Sequence, residues 1–407
     1  MNMPWVDTFL SKKIWISVFL LFFLISMVLA PLAAGAEDLE DELVLPASFD
    51  EALESPAALL MDVRSGDVLF AKNENKPLEP ASLTKIMTAY LAFQEVKSGT
   101  ISMEDRVLIS EKAWRTGGSK MFVLVGDNVL FEDLIKGMTV ASGNDACVAI
   151  AERLGGSEEG FVQMMNQTAA QMGLTNTLFQ NPHGLPAEEH FASAMDVAVL
   201  SRRHILDNPE ALKYHSQREF TYAIETPQYN RNSLLWEYDG ADGLKTGSTT
   251  AAGFCLVATA QRDGDRFLAV VMGAPNSGVR TQEITKMLDY AFANYTTAPI
   301  ADKEESLGEL RIWKGDKNVV QVGPKDVLAL TVPAGYEEKV DFELVLDGAI
   351  EAPLAEGEVV GEVVLTVYDT EMRRDPVVAL ESVEQGGGFK RFFDGVRFFF
   401  ARLFRRV

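Results

Sequence analysis

The chain has 407 residues, of which 47% are hydrophobic, and this is enough for a large core and about two domains. A formal net charge of −22 argues against a nucleic-acid partner, since phosphate backbones are bound by positive surfaces. The two cysteines, Cys147 and Cys255, are too few for a disulfide framework and are expected to be buried free thiols. No cysteine and histidine spacing is typical of a metal site, and no cofactor is expected.

The N-terminus has the pattern of an export signal. Lys12 and Lys13 precede an apolar run over residues 14–29, which is slightly short for a membrane span. Small residues follow, and Ala36 ends a typical cleavage site. The pattern predicts a signal peptide over residues 1–36 that is cleaved rather than kept as an anchor. An acidic leader over residues 37–50 would follow it.

Ser82 and Lys85 form the first candidate catalytic pair, after a predicted β-hairpin of residues 57–63 and 68–72. They lie three residues apart at the start of a helical pattern that should end near Gly99, so their side chains share a helix face. A serine becomes a good nucleophile when a base takes its proton, and a lysine with a lowered pKa can be that base. Because about one Ser-x-x-Lys is expected by chance in a chain of this length, only further motifs elsewhere in the sequence can show whether this pair is catalytic.

Ser142, Gly143 and Asn144 form a polar turn between two predicted helices, residues 131–138 and about 145–154. The Ser142 hydroxyl could relay a proton to a leaving amine. The Asn144 amide could bind a substrate carbonyl or hold the lysine of the first pair. Taken alone, a turn that merely links two helices explains the same three residues.

The region over residues 160–208 is predicted to be largely helical, with a loop over residues 181–185. The chain's histidines leave a Ser–His–Asp triad possible in principle. No histidine accompanies a Gly-x-Ser-x-Gly elbow, so all are interpreted as structural or surface residues. They are His183, His190, His204 and His215.

A second basic motif precedes a predicted β-hairpin. Lys245, Thr246 and Ser248 would lie on an edge strand and could bind a carboxylate, and Gly247 would leave room for a ligand backbone. A helix predicted to begin at Arg280 could supply a further cation. In isolation, a solvated turn explains the motif equally well.

After residue 297 the sequence changes to short apolar runs that are typical of strands and carry no catalytic constellation. They predict a small all-β domain over residues 298–384. The runs are residues 327–332, 340–346, 359–368 and 376–383.

The tail over residues 385–407 begins with a glycine hinge. From Phe389 to Val407 most apolar side chains fall within a helical arc of about 140°, with lysine and arginine outside it. This pattern predicts a helix that lies in the plane of an anionic membrane surface, and it is too interrupted to span a bilayer.

Taken together and in this order, the three motifs resemble the signature elements of the penicillin-recognising serine enzymes. Their surroundings are similar to those in low-molecular-weight penicillin-binding proteins that are D-alanyl-D-alanine carboxypeptidases. The likeness covers about Ser55 to Tyr295, and the β domain and tail extend it to the C-terminus. The stretches that carry it are Pro80-Ala-Ser-Leu-Thr-Lys-Ile-Met-Thr-Ala-Tyr90, Ala141-Ser-Gly-Asn-Asp-Ala146, Asn230-Arg-Asn-Ser-Leu-Leu-Trp236 and Asp242-Gly-Leu-Lys-Thr-Gly247.

The resemblance implies an α/β (α+β) fold of the transpeptidase and β-lactamase-like type. A catalytic domain over residues 51–297 would have an antiparallel sheet with helices on both sides and a helical region beside the cleft. The small all-β domain and the amphipathic helix would follow. Within the cleft, Ser82 would be the acylated nucleophile, Lys85 the general base and Ser142 the proton shuttle to the leaving D-alanine.

The remaining implied roles concern binding. Asn144 would position the substrate or Lys85, and Arg231 would line the cleft. The terminal carboxylate would be held by Lys245, Thr246 and Arg280, beside Gly247. The backbone N–H groups of Ser82 and Ser248 would form the oxyanion hole. Some carboxypeptidases of this group have a histidine at the position of Ser248, so the resemblance does not fix the deacylation rate.

The implied function is an exported D-Ala-D-Ala carboxypeptidase, peripheral to the outer face of the cytoplasmic membrane. It would shorten peptidoglycan stem peptides that end in D-Ala-D-Ala through an acyl-serine intermediate, and β-lactams would inhibit it covalently. The alternatives are a β-lactamase, with a water-placing carboxylate sought at Glu188 or Glu189, and a D,D-endopeptidase. A non-enzymatic cell-wall binding protein is the last, and the intact catalytic motifs argue against it.

Overall fold

A computed structural model describes residues 43–50, 52–348 and 350–404 of the chain. The predicted signal peptide lies outside these residues. So do residues 37–42 of the predicted acidic leader and residues 405–407 of the predicted tail helix.

The elements are numbered in chain order. The strands are β1 (Ala57–Asp62), β2 (Val68–Lys72), β3 (Arg106–Leu108), β4 (Asn128–Leu130), β5 (Glu219–Phe220), β6 (Gln228–Tyr229), β7 (Ala241–Thr249), β8 (Gly253–Arg262), β9 (Asp265–Ala274), β10 (Tyr295–Ala301), β11 (Gly308–Trp313), β12 (Val319–Pro324), β13 (Leu328–Pro333), β14 (Val340–Leu346), β15 (Ile350–Glu351), β16 (Val359–Val367) and β17 (Thr370–Ala379). The helices are α1 (Lys85–Lys97), α2 (Glu111–Arg115), α3 (Phe131–Thr139), α4 (Asn144–Gly155), α5 (Glu158–Gln171), α6 (Ala194–Asp207), α7 (Leu212–His215), α8 (Leu234–Glu237), α9 (Ser277–Asn294) and α10 (Gly388–Phe404).

A five-stranded antiparallel sheet in the order β2-β1-β9-β8-β7 carries the first half of the fold. Its inner strands are buried along their length because helices cover both faces. Leu59 of β1 points to the core shared with α1, α5 and α6, whereas Leu60 points to the opposite core under α9. The β7 strand is left at the edge, where one side is open to a ligand.

A helical region lies beside this sheet and has its own core. Phe93 of α1 packs with Phe131 and Ile135 of α3 and with Val148 of α4. The predicted helices over residues 131–138 and 145–154 are confirmed as α3 and α4. The prediction of a largely helical stretch over residues 160–208 is only partly right, because no helix lies between α5 and α6.

Apart from a short 3-10 turn at Glu337–Lys339 and the last helix, the described residues of the C-terminal third form only strands and loops, which confirms the predicted fold class. A six-stranded sheet has the order β14-β16-β17-β12-β11-β15, and β10 pairs with β13 beside it. The sequence patterns missed β10, β11, β12 and β15. The run over residues 376–383 is displaced, because the strand is β17 at Thr370–Ala379.

Both cysteines are buried free thiols, as expected. In the part of the chain that the structure describes, no helix has the length and apolar character that a membrane span requires.

Candidate active site

Ser82 lies in a 3-10 turn, Ala81–Thr84, that leads directly into α1. Ala81 has a φ of +47°, a left-handed conformation that residues with a Cβ adopt rarely. Gly184 packs against this residue so closely that a Cβ on it would lie 1.8 Å from the Ala81 carbonyl oxygen. The loop over residues 181–185 therefore supports the turn that presents Ser82.

Lys85 is buried beside Ser82, and its amine makes contacts on three sides. Its Nζ lies 2.9 Å from Ser82 Oγ, 2.7 Å from Asn144 Oδ1 and 2.6 Å from the His183 carbonyl oxygen. Burial lowers the pKa of Lys85 to about 8, and the Arg231 charge also lowers it. A neutral amine has two hydrogens and one lone pair. Below its pKa the ammonium can donate to all three oxygens; in the neutral form the two carbonyl oxygens can only accept, so the lone pair is left for the Ser82 hydroxyl.

The turn between α3 and α4 brings the second motif to the same place. Ser142 is buried at the cleft with a φ of +58°, and such backbone strain clusters at functional sites. The Asn144 side chain is held between two partners. Its Oδ1 accepts from Lys85, and its Nδ2 donates to the Gly117 carbonyl oxygen at 2.8 Å.

Asp145 is a residue that sequence reasoning missed. Its buried carboxylate accepts hydrogen bonds from the backbone N–H groups of Met121, Phe122 and Val123 at 3.0, 2.9 and 3.3 Å. These bonds fix the segment that follows Gly118 and Ser119, both of which line the cleft. An acidic residue in the first turn of a helix is common for electrostatic reasons, so the sequence alone did not single it out.

Lys245 and Thr246 lie on β7, as the edge-strand prediction requires. Lys245 is buried, and its Nζ donates to the Thr246 carbonyl oxygen at 2.9 Å. Burial lowers the pKa of Lys245 well below its ordinary value, and the nearby charges of Lys85, Arg231 and Arg280 lower it further.

Gly247 sets the distance between β7 and the Ala81–Thr84 turn, named the nucleophile turn for the role expected of Ser82. A Cβ on Gly247 would lie 3.0 Å from the Ser82 backbone nitrogen and 3.1 Å from the Pro80 carbonyl oxygen. Any larger residue would therefore push the strand away from Ser82.

A cleft of about 250 Å³ opens between β7, the nucleophile turn and the helical region. Arg231 lies exposed at its rim, whereas Arg280 is only 6% exposed and its Nε has no hydrogen-bond partner among the described residues. Lys85 and Lys245 lie beneath the surface of the cleft. Hydroxyls, amides and cations thus dominate a cleft that suits a ligand with a carboxylate. The predicted site residues that line it are Ser82, Ser142, Asn144, Arg231, Thr246, Gly247, Ser248 and Arg280.

The histidines are all buried, which settles the structural-or-surface interpretation in favour of structure. His183 contributes through its backbone, as the acceptor from Lys85. The Nε2 atoms of His204 and His215 are hydrogen-bonded to each other at 2.9 Å, and neither residue lines the cleft. In the described ranges, no group of three or more metal-ligating side chains comes together.

Comparisons with known proteins give one consistent picture. A family model described as D-alanyl-D-alanine carboxypeptidase matches residues 46–276, and one described as the C-terminal domain of penicillin-binding protein 5 matches residues 295–385. The chain is 38% identical to D-alanyl-D-alanine carboxypeptidase DacC of Escherichia coli K12 over 394 residues, which is 93% of this chain and 98% of the relative.

Two solved structures are similar as well. Penicillin binding protein 5 from Haemophilus influenzae matches with a TM-score of 0.73 and 37% identity, over 83% of this chain and 100% of that one. Penicillin-binding protein D2 from Listeria monocytogenes, in its ampicillin-bound form, matches with a TM-score of 0.56 and 28% identity. That match covers 60% of this chain and 100% of the other.

Proposed function

Because this chain belongs to the D-alanyl-D-alanine carboxypeptidase family and is a serine-type D-Ala-D-Ala carboxypeptidase, we propose that its catalysis runs through Ser82, Lys85 and Ser142. The observation that carries this proposal is the set of contacts around Lys85 Nζ. In the neutral amine, the two carbonyl oxygens would take both hydrogens and the lone pair would be left for Ser82 Oγ, which lies 2.9 Å from Nζ.

In the acylation step, Ser82 Oγ attacks the carbonyl carbon of the terminal D-Ala–D-Ala bond, and Lys85 accepts the hydroxyl proton. The backbone N–H groups of Ser82 and Ser248 stabilise the charge that develops on the carbonyl oxygen. Ser142 passes the proton from Lys85 to the leaving D-alanine amine as the amide bond breaks. Water then hydrolyses the acyl-Ser82 intermediate and releases the shortened peptide.

The substrate is proposed to be a peptidoglycan stem peptide that ends in D-Ala-D-Ala. Lys245, Thr246 and Arg280 would hold its terminal carboxylate, while Asn144 and Arg231 would contact the rest of the peptide. The depressed pKa of Lys245 supports this role, because a bound carboxylate would relieve the repulsion among the cations of the cleft. The close approach of Gly247 leaves room for the ligand backbone beside β7.

We propose that β-lactams acylate Ser82. The Listeria relative with an ampicillin-bound structure supports this inference. A β-lactamase receives no support from the cleft, since Glu188 and Glu189 are exposed and are not among the residues that line it. No observation favours a D,D-endopeptidase or a non-enzymatic binding protein over the carboxypeptidase.

Ser82→Ala tests the nucleophile. We expect this variant to fold, to lose covalent labelling by a fluorescent penicillin and to release no D-alanine from a pentapeptide. Ser98→Ala, at an exposed serine at the opposite, C-terminal end of the same helix, should behave as the parent protein. Undiminished labelling of Ser82→Ala would refute the assignment.

The location of the enzyme is also proposed. Residues 1–36 would direct export and be cleaved, and residues 37–50 would form a leader before a catalytic domain over residues 51–297. A β domain over residues 298–384 would link this domain to the tail over residues 385–407. The mature protein would then lie peripherally on the outer face of the cytoplasmic membrane.

The contacts of α10 support a role in membrane binding. Its first turns expose Phe389, Phe392 and Phe393 by 86%, 68% and 57%. On the opposite side, the buried Asp394 accepts a hydrogen bond from the Lys314 backbone N–H at 3.1 Å. The helix thus turns a polar side to the β domain and an aromatic side outward, which suits an anionic lipid surface.

A further inference from the structure

A chain of hydrogen bonds lies behind the nucleophile turn, outside the cleft. The Thr84 hydroxyl donates to the Ala81 carbonyl oxygen at 2.8 Å, and Thr84 Oγ1 also lies 2.8 Å from His190 Nε2. Thr84 and His190 are 1% and 4% exposed. Neither side chain is among those that line the cleft.

The tautomer of His190 follows from its other nitrogen. His190 Nδ1 accepts the backbone N–H of Gln180 at 3.0 Å, so the ring hydrogen lies on Nε2 and is donated to Thr84. Burial lowers the pKa of His190 to about 4, so the ring is neutral at neutral pH. The ring also contacts Phe179 edge-on, with centroids 6.0 Å apart. All these contacts fix one orientation of the donor.

We propose that Thr84 and His190 are positioning residues of the acylation step, which hold Ala81 in its left-handed conformation and thereby place Ser82 Oγ at Lys85. The inference rests on the proposed roles of Ser82 and Lys85. Ala81, with a φ of +47°, adopts this conformation only if its surroundings impose it. Gly184 covers its carbonyl oxygen from one side, and the Thr84 hydroxyl binds the same oxygen.

Without the bond from Thr84, the Ala81 peptide can relax towards ordinary geometry. Ser82 Oγ then moves off the Lys85 lone pair, although the amine keeps its bonds to Asn144 and His183. A displacement of about 1 Å between reacting groups can lower a rate about 100-fold. The pKa of Lys85 should stay unchanged, because Thr84 and His190 do not contact its amine.

The test compares Thr84→Val, which removes the hydroxyl at equal shape, with Thr84→Ser, which keeps it. The rate constant for acylation by a fluorescent penicillin is measured from pH 6 to 10, together with the melting temperature. We expect Thr84→Val to lower the plateau rate about 10- to 100-fold with the pH midpoint unmoved, and Thr84→Ser to stay within about threefold of the parent. A folded Thr84→Val that acylates as fast as the parent would overturn the proposal.

His190 provides an independent pair if Thr84→Val does not fold. His190→Gln keeps a donor for Thr84, whereas His190→Met has similar length and none. Acylation should be slower in His190→Met than in His190→Gln, and equal rates would overturn the proposal. Ser82→Ala, measured alongside, distinguishes a failure of the positioning proposal from a failure of the proposed role of Ser82. Labelling that persists in Ser82→Ala would refute the nucleophile itself, and with it this inference.

Discussion

The burial of Lys85 makes its charged ammonium form costly. A neutral amine would have a partner for each of its two hydrogens and for its lone pair. Two carbonyl oxygens, from Asn144 and His183, accept its hydrogens and cannot donate. Since the His183 oxygen belongs to the backbone, its position depends on the loop rather than on a side-chain rotamer. The proposed base, Lys85, is therefore oriented in the absence of substrate.

The pKa of Lys85 predicts the pH dependence of acylation. Lys85 must be neutral to accept the Ser82 proton, and its pKa is lowered to about 8. The rate should therefore fall about tenfold per pH unit below that value and level off above it. The measurement is the rate of acylation by a β-lactam whose own charge is constant from pH 5.5 to 10. A rate that stays flat between pH 6 and 9 would contradict the assignment of Lys85 as base.

Gly184 and Gly99 form a matched pair for the support of the nucleophile turn. Both have a positive φ, +87° and +79°, but a Cβ would meet the Ala81 oxygen at 1.8 Å in Gly184 and nothing within 4 Å in Gly99. Alanine should destabilise the protein by about 1 kcal/mol at Gly99, and by about 3 kcal/mol or more at Gly184.

Urea unfolding measures these costs, and penicillin labelling measures the accompanying change at Ser82. Gly184→Ala should also slow acylation, whereas Gly99→Ala should not. Equal losses of stability in the two variants would show that the loop over residues 181–185 does not press on the turn.

Among single residues, the sequence predicts those proposed to meet the substrate better than those that support them. Ser82 and Lys85 are recognisable because their spacing is short and their residue types are reactive. The contact between Lys85 and His183 joins residues 98 positions apart and involves a backbone oxygen, which no residue type reveals. Asp145 and Thr84 are missed too, because their partners are backbone N–H and C=O groups that the sequence does not reveal.

Among the secondary-structure elements, hydrophobic patterns predicted the buried strand segments. They missed exposed segments that are held in a sheet by backbone hydrogen bonds alone. The β17 strand shows this clearly: its first residues are largely exposed and charged, and only its end is buried. The predicted strand over residues 376–383 overlaps that buried end and extends beyond the last residue of β17, Ala379. The β7 strand was predicted correctly because its catalytic motif precedes a clear hairpin.

The junction between the two sheets offers a test at this scale. Arg373 of β17 is half-buried, and it donates to Asp67 at 2.6 Å, to Asp375 at 2.8 Å and to the Ala329 carbonyl oxygen at 2.6 Å. Its neighbour Arg374 pairs with Glu362 and Glu371, and both of these ion pairs are exposed. Arg373→Met should reduce the free energy of unfolding by about 2 kcal/mol, and Arg374→Met by less than about 0.5 kcal/mol.

Urea unfolding followed by tryptophan fluorescence and by penicillin labelling gives the measurement. Arg373 of the six-stranded sheet binds Asp67, which lies in the turn after β1 of the five-stranded sheet. Loss of this contact should therefore make the urea transition seen by fluorescence differ from the one seen by penicillin labelling. Equal effects of the two substitutions would mean that this ion cluster does not couple the sheets.

At the scale of the whole molecule, charge is distributed unevenly along the chain. The net charge is −22, yet the sequence from Phe389 onward carries Lys390, Arg391 and further arginines among its aromatic residues. An anionic surface should repel most of the protein and attract this segment. Membrane binding should therefore depend on the tail alone and combine an electrostatic part with an apolar one.

The electrostatic and apolar parts of membrane binding can be separated by substitution and by salt. The protein without residues 1–36 should bind vesicles that contain anionic lipid, and the double change Phe392→Asp with Phe393→Asp should abolish binding, since each buried ring contributes about 2 kcal/mol. Phe342→Asp, at a partly exposed ring on β14, is the matched control and should bind normally. Raising salt should weaken binding of the parent without abolishing it, because each cation contributes about 1 kcal/mol that salt screens whereas the rings are insensitive to salt. Binding of the double variant at the parental level, measured by vesicle sedimentation, would place the membrane contact elsewhere.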